Sequence, residues 1–357
     1  MPFRQNDAGL WISKLPETTI NTPYILNTDF EKVASRNPIT LFPNYQIRDD
    51  AGQPGNTTEF PVAQWCIDFI EHPAISIAKD IDSEMMGRLA LRAAGGAVVD
   101  TLLAGAAYKH VAPLLSGTLG QIQPPPMTVI SVLGEADWRF TGVCVNRIRM
   151  FQQHNDAPQI ECDLLGTGGF VTPNGVASLP TVAASIPCID GNSTILQWTD
   201  AGGLRDFVTG DGFKAWSIEL NNNLQTNDRQ AGDPTVTLTY ETVTVTPSYT
   251  RRLLAGEARS ITASITVPLN ATRTIWEKMS IGQVITDVTF AARGPIITSP
   301  HRQMIQFTLP KVRIASIGTD SDNGIATKVI NLRPFYDSVT ATALIVQVNN
   351  STAANFK

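Results

Sequence analysis

Charge is what this sequence has least of. Only 17% of its 357 residues are Asp, Glu, Lys or Arg, while 43% are hydrophobic. That hydrophobic share excludes the highly charged, core-poor class that stays disordered. The shortage of Lys and Glu, beside abundant Thr, Val and Ile, favours strands and surfaces that meet other chains. The formal charge of −5, with a pI near 5.4, supplies no basic footprint for gripping nucleic acid. Cysteine is scarce too: Cys66, Cys144, Cys162 and Cys188 form no CxxC pair, which excludes a zinc ribbon and a dense disulfide framework and leaves buried thiols as the expectation. The four histidines (His72, His110, His154, His301) stand apart from one another, and neither GxSxG nor HExxH occurs, so no catalytic, metal or cofactor site is expected and the chain reads as a non-enzyme. No run approaches a membrane span, and the opening MPFRQNDAGLWISKLPETT lacks the apolar core of a signal peptide.

Three motif fragments dissolve on inspection. Asp320-Ser321-Asp322-Asn323-Gly324 has its glycine one place early for a calcium loop and Asn331 where the bidentate Glu belongs; Asn323-Gly324 reads instead as a hairpin turn. Gly166-Thr167-Gly168-Gly169 is followed by no helix and no Walker lysine, so it is a connector. The sequons at Asn56, Asn192, Asn270 and Asn350 are the chance product of a Thr-rich chain.

Along the chain, Pro16, Pro23, Pro38 and Pro43 punctuate residues 1–59, an expected extended arm with the first strands, lying on a neighbouring subunit. Residues 60–170 form a first expected domain. In it FPVAQWCIDFIEHPAISI reads as strand, SEMMGRLALRAAGGAVVDTLLAGA as the one long helix, capped by Ser83 and weakened or ended at Gly95-Gly96, and Met127 to Leu165 as a meander. Residues 171–212 read as a connector, interrupted at Ile195 to Trp198. Residues 213–357 make a second domain: the alternating FKAWSIELNNN, the run TVTLTYETVTVTPSYT with a bulge or tight reversal at Glu241-Thr242, SITASITVP, a short helix capped by Asn270, and three closing strands. Both halves place a helix before a hairpin. Aligned on their apolar positions, Val145 falls on Leu309, Ile148 on Val312, Arg149 on Arg313 and Ile160 on Ile325.

Ser217 to Asn223, then Ser260 to Val267 followed by Asn270 to Ser280, resemble the text of the tail tube proteins of long-tailed bacteriophages: an alternating strand ending in an Asn-rich turn, a variable hairpin, a strand of small and β-branched residues, a short helix. FTGVCVNRIRMF with IECDLLG is similar to the sheet text preceding it in the double-domain members. The resemblance implies a mainly β fold: two tandem tail-tube-like β-sandwich units, each with a flanking α-helix, whose strands join a closed inter-subunit barrel. It implies a homo-oligomer of trimeric rings with pseudo-sixfold symmetry, stacked into a conduit in the virion tail and assembled in the host bacterial cytoplasm. Its partners would be the tape measure, terminator and distal tail proteins, with DNA passing without specific binding. Contacts within and between rings are expected at Thr235, Val236, Leu238, Tyr240, Glu241, Thr242, Val243 and Val245, a long ribbon without an evident internal partner, and at the basic pair Arg251 and Arg252. The rival expectation is a β-sandwich decoration or receptor-binding module.

Overall fold

The computed structural model describes residues 9–20, 22–24, 29–33, 45–49, 65–70, 74–80, 82–117, 122–133, 136–153, 156–167, 170–171, 193–225, 229–230, 238–240, 243–245, 249–250, 254–255, 258–269, 282–322 and 324–353. They are mainly β. Seventeen strands form one antiparallel network: β1 (Gly9–Ser13), β2 (Phe30–Lys32), β3 (Ala74–Asp80), β4 (Val99–Ala104), β5 (Ala107–Pro113), β6 (Met127–Leu133), β7 (Ala136–Gln153), β8 (Gln159–Leu165), β9 (Phe170–Val171), β10 (Thr194–Asp200), β11 (Gly203–Asp206), β12 (Ala215–Asn221), β13 (Ser260–Pro268), β14 (Ile285–Thr298), β15 (His301–Asp322), β16 (Ile325–Pro334) and β17 (Ile345–Asn350). Period-two alternation drives them: Trp216, Ile218 and Leu220 of β12 are buried while Ala215, Ser217, Glu219 and Asn221 are half-buried on the other face.

Two strands are much longer than the rest, and each passes from one sheet to another. The second half of β7 and the second half of β15 belong to a seven-stranded sheet, β3-β8-β7-β12-β13-β16-β15. The first half of β15 instead carries β14, β10 and β11 on one side and β17, β5 and β4 on the other. The first half of β7 likewise carries β6, β1 and β2 on one side and β9 on the other. The sheets pack face to face over a single core; Trp216 of β12, for instance, sits 5.7 Å from Phe290 of β14. Gln152 joins the layers, its side-chain oxygen accepting from Trp216 Nε1 (3.1 Å) and Thr194 Oγ1 (2.5 Å). Within the chain the seven-stranded sheet does not close on itself.

The same order of pairings occurs twice. β3-β8-β7-β6-β1-β2 recurs as β13-β16-β15-β14-β10-β11, with β9 and β17 in matching places. A β-bulge sets the phase in each half: β7 bypasses Asn146 against β8, and β15 bypasses Ala315 against β16. Matching the bulges places Val145 on Ile314, Ile148 on Ile317 and Leu164 on Leu332. This corrects the alignment read from apolar positions, which set Val145 on Leu309, Ile148 on Val312 and Ile160 on Ile325. Alternating text matches itself at many shifts, and the bulge that decides among them falls on different residue types in the two halves, Asn146 and Ala315.

Three further expectations are revised. The arm has internal partners: β1 pairs with β6, and Leu10, Trp11, Ile12 and Phe30 are buried. The long helix is shorter. It is α1 (Met85–Ala94), opened by Asp82, whose Oδ1 accepts from the Met85 N–H at 2.7 Å, rather than by Ser83; Gly95 ends it in the left-handed conformation at φ 76°. The β-branched VDTLLA that follows goes into β4. Residues 194–206, within the expected connector, form the hairpin β10-β11 on the edge of β14. The helix expected after Asn270 lies outside the described residues.

Helix α1 holds the N-terminal segment. Arg88 pairs with Glu31, and Arg92 Nη2 donates to the carbonyls of Ser13 (2.9 Å) and Lys14 (2.8 Å). Burial, then repulsion from Arg88, pushes the Arg92 guanidinium down to about 9, so it stays charged at neutral pH. Buried Glu17 accepts from Thr128 Oγ1 and from the Gly142 N–H. Arg92→Met keeps the bulk and strands the two carbonyls, so denaturant unfolding should show a loss of about 2–4 kcal/mol.

Candidate assembly interface

The joint between the two halves is a strand pair. β7 and β12 run antiparallel from Gln153↔Ala215 to Arg147↔Asn221. Beyond Asn221 the chain turns through Asn223 at φ 48°, a left-handed conformation that Asn tolerates. At this turn the Asn222 N–H donates to the Asn146 carbonyl (2.7 Å), and Asn222 Nδ2 donates to the carbonyls of Val145 (2.9 Å) and Ala93 (3.1 Å). The Leu224 N–H returns to Asn146 Oδ1 at 2.9 Å. The bulge in β7 is therefore a socket: skipping Asn146 exposes its carbonyl and side chain to the turn after β12. Sequence reasoning read the Asn triplet as a turn and missed the socket; Asn146 inside an otherwise alternating strand was the available signal.

The matching edge of β15 has no such partner. Residues 313–322 pair with β16 on one side, and among the described residues no strand lies on the other. At the opposite end of the sheet, β3 pairs with β8 and with no other described strand. The tip of the β15-β16 hairpin is exposed. From residue 313 to 322 it carries neither Pro nor Lys, and its edge-blunting features are Arg313, Asp320, Asp322 and the bulge at Ala315.

The face of this sheet turned from the core is polar. Arg147 donates to Asp163 at 2.6 Å, lies 3.5 Å from Glu219 and 3.9 Å from Glu161, and Arg149 lies 3.7 Å from Glu161. The hydrogen bond to Asp163, opposed by burial, holds the Arg147 guanidinium above its ordinary value. Ser217 and Ser264 hydrogen-bond at 3.0 Å, Asn331 donates to Ser316 at 2.8 Å, and Arg313 and Arg333 pair across the strands. Glu161, Asp163 and Glu219 pair with Arg147 and Arg149, and with Arg313 and Arg333 added the named groups come within one positive charge of neutral.

Between β12 and β13 the chain makes a nested ribbon: Leu224–Gln225 with Leu254–Ala255, Arg229–Gln230 with Tyr249–Thr250, and Leu238–Tyr240 with Val243–Val245. Of the expected contact residues, Leu238 pairs with Val245 and Tyr240 with Val243, around a reversal at 241–242. These strands pair with one another and with no strand of the main network. Thr235, Val236, Glu241, Thr242, Arg251 and Arg252 lie outside the described residues. A second hairpin, Tyr45–Asp49 with Trp65–Ile70, precedes β3 as this ribbon precedes β13.

Among the described residues no group of His, Cys, Asp and Glu could hold a metal, and no helix is long and apolar enough to cross a membrane. Cys144 and Cys162 are free and buried, and burial pushes both thiols well up, which leaves them unreactive. No family model and no curated protein sequence matches the chain.

Proposed function

We propose that the chain is the building block of a bacteriophage tail tube: two tandem β-sandwich units joined edge to edge, three chains forming a pseudo-sixfold ring, and rings stacking into a conduit for DNA. One observation carries this reading. The edge of β7 that receives β12 inside the chain has its counterpart in β15, and that counterpart is open. A joint that already works between two like halves can be repeated between chains, head to tail, until rotation closes the ring. Closure would complete the hydrogen bonds left open along β15 and β3, which a monomer exposes to aggregation. The near-neutral polar face would then line the pore, where a basic wall would retard passing DNA. The ribbon from Arg229 to Thr250, whose strands pair with no strand of the main network, suits contact with the next ring. Function on this reading lies in interfaces; no reaction is catalysed. Tape measure, terminator and distal tail proteins would be its partners in the virion tail, assembled in the host cytoplasm.

Analytical ultracentrifugation and electron microscopy of the purified protein, alone and with the other tail components, test the reading. Rings of three chains with a central hole are expected; a protein that stays monomeric under all these conditions would overturn it.

A further inference from the structure

One element breaks the likeness of the halves. Between β3 and β6 the chain runs from residue 81 to 126 and holds both α1 and the hairpin β4-β5, whereas between β13 and β14 only residues 269–284 intervene, too few for a ten-residue helix and a second such hairpin. This extra hairpin grips the other half. β5 pairs with β17 from Pro113↔Ile345 to Tyr108↔Asn350. His110, fully buried, sits between Asp100 Oδ1 (2.7 Å from Nδ1) and Asn350 Oδ1 (3.0 Å from Nε2). The Asn350 amide is oriented by Nδ2 donating to the Ser83 carbonyl (3.2 Å) and by Oδ1 accepting from the Thr352 N–H (3.0 Å), while Thr352 Oγ1 donates to Glu84 (2.6 Å). At the other end the Leu114 N–H donates to the Leu344 carbonyl (2.8 Å) and the Leu115 N–H to the Ala94 carbonyl (2.8 Å). Helix α1 lies so close that a Cβ on Gly87 would stand 2.7 Å from Val348 Cγ1. At the turn of the hairpin, a Cβ on Gly105, φ 55°, would stand 3.2 Å from Thr298 Cγ2 of the second half.

We infer that β4-β5 is a clasp that binds the two halves of one chain in cis and is lacking at the joint between chains. The clasp makes the two joints unequal: the strand pair β7-β12 is reinforced, and the β15 edge is left as the one joint open to exchange. Halves of different chains are thereby kept from replacing each other, a hazard of any chain built from two like units. If the tube reading also holds, the clasp recurs at three of the six joints and reduces sixfold symmetry to threefold.

The inference is tested on the full chain, independently of ring formation, by inserting a protease site between residues 172 and 192 and cutting the folded protein. With the hairpin intact the two pieces should remain one complex on size exclusion at micromolar concentration. His110→Ala, with uncut folding verified by circular dichroism, should weaken their association about ten- to a hundredfold, because Asp100 and Asn350 each lose a buried partner. Replacing residues 99–111 with a short Gly-Ser link should separate them further. Pieces that part with the hairpin intact, or that hold equally well in His110→Ala, would overturn the clasp. Neither result depends on whether tubes assemble.

Gly87→Val gives an independent measure of the same packing. Its branched side chain meets Val348 and should shift the denaturation midpoint to lower denaturant.

Discussion

Proline placed one position at a time from residue 315 to 321 of β15 will yield two alternating phenotypes. In an antiparallel edge strand, successive N–H groups point alternately to the neighbouring strand and away from it. Where the N–H serves the pairing with β16, proline removes a ladder bond from the folded chain and the unfolding midpoint falls. Where the N–H points outward, the isolated chain loses no ladder bond and monomer stability should change little, Ser321 excepted because its N–H donates to Asp320 Oδ1 at 2.8 Å. Those same outward prolines would remove the donors that a neighbouring chain needs. Each missing bond is worth about 0.5–1.5 kcal/mol, and a ring joint is made three times, so one substitution multiplies through the closed structure. Rings should vanish in the variants that remain most stable. Stability and assembly would thus be lost at complementary positions, a pattern that general destabilisation does not produce. Size-exclusion chromatography and thermal unfolding of the same proteins read both quantities.

Removing the tip of the ribbon, residues 238–245, should leave rings and abolish tubes. The strands of the tip, Leu238–Tyr240 and Val243–Val245, pair with each other and with no strand of the main network. Loss of a self-contained hairpin leaves the pairing of Asn221 with Ser260 at its base intact, and folding should proceed. What disappears is a hairpin whose two strands read Leu-Thr-Tyr and Val-Thr-Val. If stacking of rings depends on it, electron micrographs will show single rings or short stacks in place of tubes. Tubes of normal length from this variant would move the stacking contact elsewhere.

How far the fold could be read from the sequence follows from what kinds of signal a β protein carries. The strand at Phe213 to Asn221 was legible because burial alternates residue by residue, and Trp216, Ile218 and Leu220 are the side that is buried. The change of apolar phase at Glu241-Thr242 pointed to a bulge or a tight reversal; those two residues lie outside the described ones, and the short strands Leu238–Tyr240 and Val243–Val245 on either side of them pair antiparallel. The end of the helix was only half legible: Gly95-Gly96 marked a break, but VDTLLA after it has apolar residues that satisfy either a helix or a strand period over so short a run. The arm was misjudged for a related reason. Four prolines suggested a segment without partners, yet Leu10, Trp11 and Ile12 lie in a strand paired on both sides, and the pairing with β6 and the hydrogen bonds of buried Glu17 depend on residues more than a hundred positions away.

The repeat shows the limit most clearly. The sequence suggested it through a shared order of helix and hairpin, of which the second helix lies outside the described residues, while the structure shows a shared order of strand pairings whose register the sequence did not reveal. Alternating apolar text slides over itself, and only the bulges at Asn146 and Ala315 fix which residues correspond. Once they do, the features that bear on function come into view together: a socket at Asn146 filled from within the chain, and its counterpart at Ala315 on an open edge. The clasp could not be foreseen at all, because nothing local in VDTLLAGAAYKHVAP announces that its partner is the C-terminal strand.

The most direct test is a density map of the assembled protein at side-chain resolution. It should show three chains enclosing a pore, with a neighbour's backbone hydrogen-bonded along residues 313–322 of every β15 and with Arg147, Glu219 and Ser264 facing the channel. A map of separate molecules whose β15 edges stay bare, or of an assembly with no channel, would contradict it.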